Sequence, residues 1–278
     1  MLDFLYSIIY GIIQGITEWL PISSTGHLIL AKDFFKLSTS DAFFEMFLVI
    51  IQLGSIAAVI ILFWNKLWPF KMKKQGGIGV KVDTFRLWLK VIVGIIPALI
   101  FGLLLDNWSD SINNKVVVAI ALIFYGIMFI VVEKVNRGKA TKINSLDDIS
   151  YPLALCVGAF QALALIPGTS RSGATILGAI ILGFWRPVAA EFSFFLAIPT
   201  MFGASFIRIV KYFSSGGTFG GSEIMILAVG TIVSFIVSIF AIRFLMKFIQ
   251  KKDFVPFGYY RIALGILVLA LIPVVGIN

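Results

Sequence analysis

A single cysteine and a single histidine occur in the 278 residues of this chain. Cys156 therefore has no partner for an internal disulfide, and His27 alone excludes reactions that need a histidine pair. Charge is also scarce. Only 13% of residues are Asp, Glu, Lys or Arg, against about 25% in an ordinary soluble domain. With 59% hydrophobic residues and a mean hydropathy of +1.01, the composition is that of an integral membrane protein. Period-two alternation is missing from apolar runs such as "MILAVGTIVSFIVSIFAI", which excludes barrel strands and leaves helices. The opening "MLDFLYSII" has no basic region before its apolar stretch, so the first segment is expected to stay in place rather than act as a cleaved signal.

The expected fold is an all-α integral membrane protein forming one membrane domain over residues 1–278. Six stretches are long enough to cross: 43–64, 86–105, 116–132, 190–210, 224–246 and 259–277; about 20 apolar residues are required. Two more apolar regions, 2–36 and 150–185, are each interrupted by Pro, Gly, Ser and Thr. These are expected to be re-entrant helical hairpins, because irregular backbone at membrane depth must be buried in protein or line a wet cavity.

The net charge of +9 is no nucleic-acid signal, since the basic residues gather between hydrophobic segments without aromatic interleaving. Anionic membrane lipids suit such loops. With this topology seventeen Lys and Arg fall on one side, in 66–90, 134–142, Arg186 and 243–261. Five fall on the other: Lys32, Lys36, Lys115, Arg208 and Lys211. The positive-inside rule puts the seventeen in the cytoplasm. Both termini, the mouth of the first hairpin and the loop "DNWSDSINN" then face outward, and the second hairpin opens inward. Trp64, Trp68 and Trp108, and Tyr259 and Tyr260 with Arg261, read as interface anchors.

The two hairpins resemble one another. Gln14 precedes Gly26 by twelve residues, as Gln161 precedes Gly173. Between them lie "LPISSTG" and "IPGTSRSG", which align Ser23 with Ser170, Ser24 with Arg171 and Thr25 with Ser172. Glu45 and Glu191 follow at nineteen and eighteen residues. We therefore expect an inverted-topology repeat with halves of about 1–132 and 150–278, joined by a cytoplasmic loop at 133–149. Such repeats bring broken helices together near the midplane.

Arg171 is the costliest of the polar residues, at about 2.5–3.5 kcal/mol for insertion at the centre of a span. With Thr169, Ser170 and Ser172 ahead of a helix start, it makes an anion cradle suited to phosphate. The competing reading is an ion pair with Glu18, Glu45 or Glu191 that serves packing alone. Glu18 and Gln14 share a helical face, where oxygen ligands suit Mg²⁺ or Ca²⁺; Glu18 as a base, or as a partner of Arg171, stands equally. His27 follows the hydroxyl run Ser23, Ser24 and Thr25, which fits general acid–base work or attack on phosphorus. Glu45 and Glu191 are expected to support the hairpin tips from behind, with Gln52 and Ser193 beside them.

"QGITEWLPISSTGHL" and "PGTSRSGATI", with "FEMFLVIIQLGSI" and "RPVAAEFSFFLAIPTM", resemble the signatures of the undecaprenyl-diphosphate phosphatases of the bacitracin-resistance type over nearly the whole chain. The resemblance implies hydrolysis of undecaprenyl diphosphate to undecaprenyl phosphate for wall-polymer synthesis, a divalent cation, a plasma-membrane address and bacitracin resistance. It also implies roles by position: Glu18 as the essential acid, Gln14 where many members carry Glu, Ser23, Ser24 and Thr25 as the hydroxyl run, His27 as the catalytic histidine, and Ser170 and Arg171 as the phosphate-binding turn. Whether His27 activates Ser24 or water, or attacks directly, stays open, as does a homodimer. Two rivals remain. One is a lipid-phosphate transporter or flippase, and the other an intramembrane serine hydrolase using Ser24 and His27. The other common membrane lipid phosphatase chemistry needs two histidines and is set aside.

Overall fold

The computed structural model describes residues 2–72 and 78–275. Lys73 and Lys74, counted above among the basic loop residues, and the last residues of the chain lie outside them. The first helical pair is α1 (Leu2–Thr17) and α2 (Ser24–Phe34), followed by the long α3 (Asp41–Leu62) and a single turn, α4 (Trp64–Leu67). Two three-residue strands, β1 (Phe70–Met72) and β2 (Ile78–Val80), pair antiparallel with Phe70 opposite Val80. Helices α5 (Val82–Ser111) and α6 (Lys115–Asn136) complete the first half. The second contains α7 (Tyr151–Ala162), a 3₁₀ turn at Leu163–Leu165, α8 (Arg171–Ile181), α9 (Arg186–Ser214), α10 (Gly221–Ile249) and α11 (Val255–Val275).

Among the described residues six helices are long and apolar enough to cross a membrane: α3, α5, α6, α9, α10 and α11. They coincide with the six expected spans, and the protein is an all-α, multi-pass membrane protein. By contrast α1, α2, α7 and α8 run 16, 11, 12 and 11 residues. At 1.5 Å per residue none exceeds about 24 Å, short of a hydrocarbon core of about 30 Å. Each pair folds back on itself as a hairpin, α1 against α2 and α7 against α8.

Both hairpins turn the same way. Ser23 and Ser170 are the only non-glycine residues at positive φ among the described residues, at 73° and 70°. Each caps the helix that follows, its Oγ accepting from the N–H of Gly26 or Gly173. A left-handed serine costs roughly 1–3 kcal/mol and persists only where its surroundings enforce it.

The hairpins are wedged between the long helices, α1 along α10 and α7 along α5, while α6 lies on α11. Glycine permits these close crossings: a Cβ on Gly158 would run into the Gly94 carbonyl oxygen, and a Cβ on Gly126 or on Gly258 would meet the other's carbonyl oxygen at 2.7 Å. Ion pairs show which loops share an end of the bundle. At one end the buried Glu133 accepts from Arg186 Nε at 2.8 Å and from the Phe254 amide at 3.0 Å, and Lys90 Nζ donates to the carbonyls of Leu146 and Asp147. At the other, Lys115 meets Asp33 at 3.0 Å and Glu45 meets Arg208 at 3.5 Å. The loops grouped together by the sequence are grouped here too.

Candidate active site

The hairpin tips meet midway along the bundle around a cavity of about 130 Å³. Glu18, Ser24 and Thr25 line it from the first hairpin, and Ala164, Gly168, Ser170 and Arg171 from the second. Gln52 and Met201, near the midpoints of α3 and α9, close it. Glu18, just past the last residue of α1, is 5% exposed. Its Oε2 accepts from Gln14 Nε2 at 2.9 Å and from Ser24 Oγ at 3.1 Å, and its Oε1 lies 3.3 Å from Arg171 Nη2. Arg171 also donates from Nη1 to the Ser193 carbonyl at 2.9 Å and lies over the Trp19 ring at 5.8 Å. Its Nε finds no acceptor among the described residues. The ion pair weighed for Arg171 is therefore present, but it occupies one donor of five.

Not every expected site residue faces the cavity. Ser23, Thr169 and Ser172 are at most 1% exposed and build its walls. Ser23 caps α2, and the Ser172 hydroxyl donates to the Glu18 carbonyl at 3.0 Å, tying one tip to the other. His27 is not among the lining residues. Its Nδ1 is 2.8 Å from the Ser23 carbonyl and its Nε2 2.7 Å from the Tyr260 hydroxyl. Glu45 and Glu191 do not reach the tips: the first pairs with Arg208, half exposed, and the second with Lys66 at 2.6 Å. Of their companions, Gln52 lines the cavity and Ser193 touches Arg171.

Arg261 requires a correction. Read as an interface anchor, it is 0% exposed. It donates from Nη1 to the Pro21 carbonyl at 3.2 Å and from Nη2 to the carbonyls of Gly168 and Thr169 at 3.0 and 2.9 Å. The Tyr125 ring lies 5.7 Å from its Cζ. Three carbonyls from two turns, which have no helical amides to satisfy them, make a buried guanidinium tolerable. Tyr259 keeps its exposed place at 59%, whereas Tyr260 is 46% exposed with its hydroxyl turned to His27.

The acid, the hydroxyl and the cation that the sequence singled out thus converge on one cavity, in segments matching a known family. The family model "Bacitracin resistance protein BacA" matches residues 7–267. The chain belongs to the BacA family. Its relatives include the "Undecaprenyl-diphosphatase" of Enterococcus faecalis, 58% identical over 93% of this chain and 94% of that one. Those of Acetivibrio thermocellus and Limosilactobacillus fermentum are 53% and 54% identical, covering 96% and 97% of this chain and 97% and 98% of theirs. The matched BacA segment takes in the first hairpin from residue 7 onward, the whole second hairpin, the cavity between them, and Tyr260 and Arg261 on α11.

Proposed function

We propose that this protein hydrolyses undecaprenyl diphosphate to undecaprenyl phosphate and inorganic phosphate, returning the lipid carrier to wall-polymer synthesis and thereby conferring bacitracin resistance. The observation that carries the reading is the triangle of Glu18, Ser24 and Arg171 in one cavity, in a chain whose relatives bear that activity's name.

Ser24 Oγ already donates to Glu18 Oε2, the relation of a nucleophile to its base. Ser24 Oγ attacks the terminal phosphorus while its proton passes to Glu18. The P–O bond to the bridging oxygen breaks, and undecaprenyl phosphate leaves with that oxygen. As it leaves, that oxygen takes the proton from Glu18, which is ionised again. Water then attacks the phosphoserine, and Glu18 takes a proton from the water and passes it to Ser24 Oγ as phosphate departs. Arg171 supports the charge that spreads over the equatorial oxygens, and α2 and α8 both begin at the cavity, where helix N-termini favour anions. His27, with both ring nitrogens engaged elsewhere, is not the attacking group. Water attacking the phosphorus in place of Ser24 predicts instead that Ser24→Ala keeps much of its activity.

A divalent cation fits this donor set only jointly with substrate. Among the described residues no group of three His, Cys, Asp or Glu forms a metal site. Glu18, with Gln14 beside it, supplies one carboxylate, as Mg²⁺ sites completed by substrate phosphates do. A cation held there, Mg²⁺ or Ca²⁺, supplies charge neutralisation of the diphosphate.

The loop end rich in Lys and Arg lies in the cytoplasm of a bacterial plasma membrane. The first hairpin then enters from the outer face and the second from the inner, as two oppositely inserted halves require, and the diphosphate reaches the cavity from outside with its tail left in lipid. A second reading, transport of the lipid phosphate through the same cavity, draws on the two broken hairpins meeting mid-bundle. Purified protein assayed for phosphate release tests the first: Ser24→Ala and Arg171→Ala each lower kcat at least about hundredfold. Near-normal release from either removes the site. Movement of lipid between leaflets of vesicles without phosphate release favours the second.

A further inference from the structure

The hydroxyl of Tyr260 has a partner that the phosphatase reaction does not account for. A carbonyl oxygen can only accept, so the 2.8 Å contact between His27 Nδ1 and the Ser23 carbonyl places a hydrogen on Nδ1. In the neutral ring Nε2 then carries the lone pair, and the Tyr260 hydroxyl at 2.7 Å donates to it. The two rings lie 7° from parallel with centroids 5.6 Å apart. A relay therefore runs from α11 through the imidazole to the backbone of Ser23, the residue before Ser24.

The second hairpin shows what the relay achieves. At Ser170, equally left-handed, the carbonyl accepts from the backbone amide of Ala174 at 2.9 Å. At Ser23 an imidazole grips the same carbonyl, and that imidazole is held in turn by another helix. Ser23 is strained at φ 73°, and the direction of its carbonyl fixes the peptide plane leading into Ser24.

We propose that Tyr260 is a positioning residue of the phosphatase site. It acts through His27 on the Ser23 carbonyl, so that Ser24 Oγ is delivered to Glu18. This rests on Ser24 and Glu18 being the reacting pair. Tyr260 touches neither substrate nor the reacting atoms, so its effect falls on the chemical step and leaves substrate capture intact.

The test uses the fact that His27 is the only histidine in the chain. Purified full-length protein labelled with ¹⁵N-histidine gives one pair of ring-nitrogen signals. The expected wild-type spectrum is a neutral ring protonated at Nδ1, the tautomer less favoured by free imidazole in water. In Tyr260→Phe, which keeps the ring and removes the donor, the Nε2 signal shifts. Its kcat falls roughly three- to tenfold, the size of one lost hydrogen bond, while KM stays within about twofold. A wild-type ring protonated at Nε2 overturns the proposal without need of any variant, and so does Tyr260→Phe with unchanged kcat. Inactive Ser24→Ala beside fully active Tyr260→Phe defeats this inference alone, whereas active Ser24→Ala defeats the site beneath it.

Discussion

Replacing Arg261 by methionine or lysine tests how the two turns are held together. Methionine approximates the length and apolar stem of arginine but offers no donor, so the carbonyls of Pro21, Gly168 and Thr169 lose their partner. Each buried polar group left unpaired costs about 1–3 kcal/mol. Against this, removing a fully buried cation with no acidic partner among the described residues recovers part of its desolvation penalty. The net loss in Arg261→Met is therefore smaller than the sum of three bonds, and it falls on the contact between the hairpins. Lysine keeps the charge but not the planar fork, and cannot reach Pro21 on one turn and Thr169 on the other together. Arg261→Lys is expected to retain its helicity and lose kcat by about five- to hundredfold, matching roughly 1–3 kcal/mol; Arg261→Met also loses thermal stability. Phosphate release from a polyprenyl diphosphate in detergent, with circular dichroism melting on the same preparations, measures both. Arg261→Met with wild-type rate and melting temperature would refute the idea that this arginine holds the turns in place.

Two further outcomes follow from the partners of the acidic residues. Glu45→Ala removes one side of a half-exposed pair, worth about 0–1 kcal/mol, and turnover is expected within twofold of wild type; a large loss would bring Glu45 back to the hairpin tips. Gln14→Glu places a second carboxylate against Glu18, where Gln14 Nε2 now donates, so activity persists only with a divalent cation between them. Titrating the variant and the wild type with a chelator and restoring Mg²⁺ should show the variant losing activity only at higher chelator concentration, because a second carboxylate tightens the site; equal sensitivity counts against a cation at Glu18.

The long helices were legible because lipid imposes a length on apolar sequence that little else mimics. The hairpins were legible because Pro21, Pro167 and their flanking Gly, Ser and Thr break runs that hydrocarbon would otherwise leave intact. Ser23 and Ser170, aligned by spacing alone, proved to share a cap and a left-handed backbone. Arg261 was misread for a physical reason. Charge counting treats a cation near the end of a span as wet, and nothing local in "FGYYRIA" reveals that two turns from distant parts of the chain bring carbonyls to it. The same blindness to long-range pairing sent Glu45 and Glu191 to the tips, when Arg208 and Lys66 were waiting at opposite ends. The strands β1 and β2 are three residues each, too short to leave a period in the sequence.

The clasp between the tips bears on any motion of this protein. Arg171 to Glu18 and Ser172 to the Glu18 carbonyl are at once the floor of the cavity and the seam between its two sides. A rocking movement that exposed the cavity to the opposite leaflet would have to part that seam, pulling the base away from the cation that shares its charge. Were the lipid also carried through this cavity, bond cleavage and passage would have to be alternate states of a single molecule, and a conformer trapped open by a cross-link would carry lipid while leaving diphosphate uncut.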